Sequence, residues 1–231
     1  MELTREMFAD RQDAGRRLAE RLGPYADSDV GSSPGPVVVG LPRGGVVVAA
    51  EVARELRAPL DIVVVRKLGC PWQPELGIGA IAEGDIRVLN GDLVRELGLS
   101  AGEVDAVAAS ERAELERRVA TYREGRPRES VRGRLVIVID DGLATGYTAR
   151  AAIASLRAEG AGRVILAIPV APDSTAAELR SVADHLVVAE PAKHLLAVGA
   201  FYADFRQTSD AEVIELVRAA ARARAGAAPP G

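Results

Sequence analysis

Short runs rich in Val and Ile alternate along this chain with longer stretches of Ala, Leu, Arg and Glu at helical spacing. That alternation is the signature of βαβ units laid around a parallel sheet. The runs PVVVG (36–40), DIVVV (61–65), RLVIVID (134–140), RVILAIPV (163–170) and DHLVVA (184–189) read as buried strands, with IRVLN (86–90) a shorter one. Between them, helices are expected over 6–22, with Phe8, Leu18 and Leu22 among its apolar positions, and from the LPRGG turn (41–45) to about Leu56. Further helices are expected over 101–125, with Val104, Val107, Leu115 and Val119 on one side, over 148–159, across TAAELRSVA, and over 210–225 behind a Ser209 or Asp210 cap. Residues 66–84 hold two prolines and four glycines without a clear period and read as a long loop or mobile hairpin, a kind of segment that is usually functional.

Hydrophobic residues make up 48% of the 231 and charged residues 27%, enough apolar material for a sizeable core and enough charge for solubility. Aromatics are only 3%, so the core must be built from Val, Leu, Ile and Ala. A net charge of -4 gives no global pull toward nucleic acid or an anionic membrane, although a local basic cluster could still bind phosphate. Cys70 stands alone and has no internal disulfide partner, which fits a reducing compartment. The first residues mix acids and bases without an apolar core, and no apolar run approaches the roughly 20 residues that span a bilayer. The reading is therefore a soluble, cytoplasmic protein.

Chemistry concentrates in VIVIDDGLATGYT (136–148), an apolar strand followed by two carboxylates and a small-residue turn into a helix. A loop at the carboxyl end of a buried strand lies in the crevice where open α/β sheets bind ligands. Gly142 and Gly146 allow tight bending, and free N–H groups at a helix start, with the hydroxyls of Thr145 and Thr148, suit a phosphate. Asp140 and Asp141 would repel that phosphate unless they serve sugar hydroxyls or a bound Mg2+.

This segment resembles the signature of the type I phosphoribosyltransferases, which bind phosphoribosyl pyrophosphate (PRPP): four apolar residues, two acids, a short variable stretch and TG-x-T. The resemblance implies a central, mainly parallel sheet flanked by helices, with a small hood and a flexible loop. It implies that Asp140 and Asp141 hold the ribose hydroxyls and a Mg2+ ion, and that the loop from Gly142 through Ala144, Thr145, Gly146, Tyr147 and Thr148 holds the 5-phosphate. LPRGG looks like the pyrophosphate loop of the family, which assigns Arg43, Gly44 and Gly45 to pyrophosphate and implies a cis peptide between Pro42 and Arg43. VRKLG looks like the start of the flexible catalytic loop, with Arg66 and Lys67 beside pyrophosphate and residues 68–84 closing over the substrates. The whole chain, 1–231, then reads as a single domain: a core over about 36–189, a hood over about 190–208 plus the N-terminal segment, and the C-terminal helix.

One departure bears on substrate. Enzymes of the family that take hypoxanthine or guanine carry an aspartate where this chain has Ala144. DDGLATGYT is closer to the adenine-type pattern DDLLATGGT, in which a glutamate of the mobile loop assists the leaving base; Glu75 and Glu83 are the candidates, Glu83 preferred. Val187, Phe201 and Tyr202 border the expected base pocket. Phe201, Tyr202 and Phe205 would either stack on a flat ring or glue the hood to the core.

Other motif matches fail on context. GIGAIA (77–82) has the dinucleotide-binding spacing but follows CPWQPEL, whose two prolines argue against a strand. GSSPG (31–35) has the nucleophile-elbow spacing but precedes a strand. His185 and His194 are expected to be structural, and Cys70 a chance thiol. The expected activity is Mg2+-dependent transfer of phosphoribosyl from PRPP to a nitrogen of a nucleobase-like acceptor, by a chain that leaves room for a homodimer. The alternative is a regulator of the same fold that binds PRPP or a nucleotide without turnover.

Overall fold

The computed structural model describes residues 7–25, 35–143, 145–192 and 197–227. Ala144, His194 and residues 31–34 of GSSPG lie outside them. Five parallel strands form the main sheet in the order β2-β1-β6-β7-β8, built from β1 (Val37–Gly40), β2 (Leu60–Ile62), β6 (Leu135–Ile139), β7 (Arg163–Pro172) and β8 (His185–Ala192). A second, antiparallel sheet carries β3 (Val65–Cys70), β4 (Gln73–Ala82) and β5 (Ile86–Leu89) in that order. The helices are α1 (Arg11–Leu22), α2 (Gly44–Glu55), α3 (Gly91–Glu96), α4 (Ala101–Arg123), α5 (Tyr147–Ala158), α6 (Asp173–Leu179) and α7 (Asp210–Ala227).

β6 is central, and its side chains alternate between layers as a period of two requires. Leu135, Ile137 and Ile139 join Leu18 and Leu22 of α1 and Val48 and Val52 of α2. Val136 and Val138 join Ile153 and Leu156 of α5 and Leu179 of α6. Burying an aliphatic side chain of this size stabilises by about 1.5–3 kcal/mol, so two such layers hold the sheet rigid and fix where β6 ends. A third core lies under the antiparallel sheet, where Leu68, Ile78 and Ile81 meet Val104, Leu115 and Tyr122 of α4 and Val213 and Val217 of α7.

The structure departs from the sequence reading in several places. Helix α1 starts at Arg11, not at residue 6, because Asp10 caps it by accepting a hydrogen bond from the Asp13 amide at 2.8 Å. Phe8 is buried, but outside the helix: its backbone pairs with the hood through Phe8 N to Phe201 O and Ala203 N to Phe8 O, each 2.8 Å. The expected strand 61–65 breaks after Ile62, where the chain leaves the parallel sheet and turns into β3. Of the two forms expected for residues 66–84, the structure has the hairpin, with Pro71 and Trp72 at its tip and Trp72 59% exposed. A short helix, α3, went unread and is capped by the Asn90 side chain. The capping box of α4 is Ser100 with Glu103, and Ser209 and Glu212 make the same reciprocal pair ahead of α7.

Candidate functional site

Asp140 and Asp141 follow directly from Ile139, the last residue of β6, and thus stand at the carboxyl edge of the sheet. The start of α2 presses against them. Leu41 donates its amide to the Ile139 carbonyl at 2.9 Å, and a cis peptide joins Pro42 to Arg43, as the resemblance implies. A Cβ on Gly44 would lie 1.9 Å from Asp141 Oδ2, so only glycine admits the carboxylate at that distance. Asp140 Oδ1 accepts the Asp141 amide at 2.9 Å. Burial, and secondarily the neighbouring Asp141, push the Asp140 carboxyl well above the usual carboxylate range, with Lys67 pulling the other way.

Beyond the acid pair the chain turns at Gly146, whose φ of 74° is left-handed, into the first turn of α5. That helix start has no side-chain cap, which leaves its first-turn amides and positive dipole end for an anion. Thr145 is exposed and Thr148 half-buried beside it. Tyr147 packs against the small cluster of Ala80, Ala82 and Ala151, which joins α5 to the hairpin.

The basic residues divide. Successive side chains of a strand point to opposite faces, and β3 sends Arg66 to α4, where its Nε meets Glu111 Oε2 at 2.7 Å. Arg66 is therefore turned away from the acid pair. Lys67 is exposed and makes no ion pair among the described residues, and its charge acts on Asp140. Arg43 reaches Asp210 at the start of α7, at 3.6 Å, and that carboxylate also accepts the Tyr122 hydroxyl at 2.7 Å.

Glu83 is held as a structural pin. Its Oε1 accepts the Val64 amide at 2.8 Å and its Oε2 faces Arg123 at 3.4 Å, while its own carbonyl accepts the Ser155 hydroxyl at 2.8 Å. These bonds fasten the base of the hairpin to α4 and α5, so the preference for Glu83 as a base-assisting residue is corrected. Phe201 and Tyr202 are each 4% exposed and serve as hood anchors, not as an open stacking surface. The Tyr202 hydroxyl donates to the Asp141 carbonyl at 2.6 Å, and its ring meets Phe8 and Phe205 at 5.3 and 4.9 Å. Val187 pairs with Ala167, which pairs with Ile139; the row places it level with the end of β6, two strands or about 10 Å away, packed toward the α1 layer.

Arg11 was not read from the sequence as a site residue. Its Nε donates to Asp141 Oδ2 at 2.8 Å across 130 positions, a contact that no local pattern announces. Among the described residues no group of three or more His, Cys, Asp and Glu side chains gathers to hold a metal. Two carboxylates, one already engaged by Arg11, are few for a cation held by side chains alone and would suit a Mg2+ that retained most of its water. His185 begins β8 exposed, with its ring 6.0 Å from Tyr25.

A phosphoribosyl transferase domain model matches residues 12–204. The chain belongs to that family. Relatives provisionally named as phosphoribosyl transferases, from two strains of Mycobacterium tuberculosis, are 49% identical over 224 residues, 96% of this chain. The chain spans about half the length of these curated relatives, 49%. The crystal structure of TT1426 from Thermus thermophilus shares 40% identity with a TM-score of 0.76, covering 91% of this chain and 97% of that one. In this phosphoribosyl transferase fold the acid pair and the uncapped start of α5 share one loop at the carboxyl edge of the parallel sheet. No helix among the described residues is long and apolar enough to cross a membrane.

Proposed function

We propose that this phosphoribosyl transferase family member binds PRPP with Mg2+ and transfers its 5-phosphoribosyl group to a nitrogen of a nucleobase-like acceptor, releasing pyrophosphate. The observation that carries the reading is the continuous path from β6 through Asp140 and Asp141 to the uncapped, left-handed entry of α5. One end of that path suits hydroxyls and the other suits a phosphate, separated by a short turn as a ribose 5-phosphate requires. Asp140 and Asp141 orient the ribose. The α5 amides with Thr145 and Thr148 hold the 5-phosphate, and Arg43 and Lys67 face the departing pyrophosphate.

The acceptor nitrogen attacks C1 as the bond from C1 to the pyrophosphate oxygen breaks, through a transition state with oxocarbenium character. Rigid placement and exclusion of water matter most, because water would hydrolyse the donor. The exposed hairpin tip around Trp72 is the segment to which we assign that exclusion. Mg2+, when bound, neutralises pyrophosphate charge. Glu75, exposed near the tip on β4, is left as the loop carboxylate to take the proton that the acceptor nitrogen loses as its bond to C1 forms.

A second reading, binding of PRPP or a nucleotide without turnover, draws on the engagement of Arg66 and Glu83 in ion pairs that hold the scaffold. Incubation with PRPP, Mg2+ and a panel of nucleobases, with pyrophosphate release as the readout, separates the two. Release dependent on one acceptor supports transfer; tight PRPP binding with no release for any acceptor refutes it in favour of the second reading.

A further inference from the structure

The carboxylate of Asp141 is not left open to the cleft on all sides. Arg11, at the start of α1, touches it with Nε at 2.8 Å, and the same guanidinium donates through Nη1 to the Arg206 carbonyl at 2.8 Å. Its central carbon lies 3.9 Å from the centroid of the Phe205 ring, a cation–π distance. The Arg11 side chain is 11% exposed and that of Asp141 19%, so the pair is largely shielded from water. A planar guanidinium suits such a place because its donors lie in a fixed fork and its face stacks on an aromatic ring.

The rest of the hood is interlocked with the same residues. The Tyr202 hydroxyl takes the Asp141 carbonyl, the Asp204 amide donates to Ala9 O at 2.9 Å, and Phe8 pairs with the hood on both sides. Gly44 lies against this same contact: a Cβ there would stand 1.9 Å from Asp141 Oδ2 and 2.6 Å from Arg11 Nε. Asp141 is thereby fixed by three elements at once, with Oδ2 committed to Arg11. Among the described residues no geometric hydrogen bond reaches Oδ1, and beside Arg11 only the neighbouring Asp140 carboxyl, when protonated, bonds the Asp141 side chain; Oδ1 is the oxygen left for a ligand hydroxyl.

We propose that Arg11 is a positioning residue for the ribose subsite, holding Asp141 so that Oδ1 meets the sugar and making that orientation depend on the docked hood segment 201–206. This rests on the PRPP reading above. The hood, which the resemblance assigns to the acceptor, then also sets donor affinity, since loosening Phe205 or Arg206 frees the guanidinium that holds the acid.

Calorimetric titration with PRPP and Mg2+, ribose 5-phosphate and pyrophosphate, each on wild type, Arg11→Ala, Arg11→Lys and Phe205→Ala, tests the proposal. Arg11→Ala is expected to weaken PRPP and ribose 5-phosphate by tenfold or more, a loss typical of a hydrogen bond to a charged group, while pyrophosphate affinity stays within twofold. Arg11→Lys, which keeps the charge without the fork, falls between, and it carries the comparison if the alanine variant does not fold. Phe205→Ala weakens the sugar ligands less, and adding it to Arg11→Ala costs nothing further. Equal loss for all three ligands would mark a purely structural role and overturn the proposal, as would unchanged PRPP affinity in Arg11→Ala. A wild type that binds no PRPP defeats the donor reading itself, and the proposal with it; a wild type that binds while the variants match it defeats the Arg11 role alone.

Discussion

Asp140 is placed where burial and Asp141 both oppose its charge, and the consequence for stability has a definite sign. Its folded pKa lies well above the ordinary 3.8, so between those two values the native state keeps a proton that the unfolded chain has released. Unfolding then releases a proton, and stability falls as pH rises through that window. Asp140→Asn removes this dependence. Urea unfolding of the unliganded protein between pH 4 and 8 is expected to show a higher midpoint for the variant near neutrality and a smaller decline with pH; a lower midpoint across the range would contradict the assignment. A group that weakens the empty protein is retained where a ligand needs it, a common trade at binding sites. Gly44 gives a second test at this scale. Alanine there places a carbon 1.9 Å from Asp141 Oδ2, so Gly44→Ala should lower stability by about 1–3 kcal/mol and displace the acid, read by thermal melting and by loss of PRPP affinity.

At the scale of elements the hairpin is the most informative piece. Its glycines and prolines hid the strands: Gly69 and Gly79 look like loop residues, yet each faces backbone so closely that a side chain would not fit, at 2.2 and 2.3 Å from the neighbouring strand's carbonyl. Loop composition and close strand packing leave the same residues in a sequence, and only the pairing distinguishes them. The hairpin's base is pinned by Glu83 while its tip is exposed. Glu83→Ala should therefore cost about 1.5–3 kcal/mol and speed hydrogen exchange at the Val64 amide, with little effect on exchange near Ile137. Trp72 is the chain's one tryptophan and stands at the tip, so its emission reports the tip alone. Closure over the bound donor predicts a blue shift on adding PRPP and Mg2+; emission unchanged at saturation would mean the tip does not cover the ligand.

Over the whole molecule, what could be read early was what is local. The strands β1, β6, β7 and β8 announce themselves as short apolar runs, and the motif after β6 carries its own turn and helix start, so both the parallel sheet and the acid pair were legible. What joins distant segments was not. Arg11 reads as an ordinary basic residue of an amphipathic helix, and its bond to Asp141 exists only because α1 packs beside α2 and the hood closes over both. Arg66 and Lys67 are adjacent in sequence and opposite in space, a division fixed by the strand that the glycine-rich composition concealed. Phe8 and Tyr202, read respectively as a helix position and a pocket residue, turn out to be partners in one seam. The acid pair and the start of α5 are proposed to form a ribose 5-phosphate cradle. Calorimetric titration of PRPP with Mg2+ into wild type and into the Asp140→Asn, Asp141→Asn double variant tests it directly: binding by the wild type with at least a hundredfold loss in a still cooperatively folding variant is the expected result, and equal affinity in the two would contradict it.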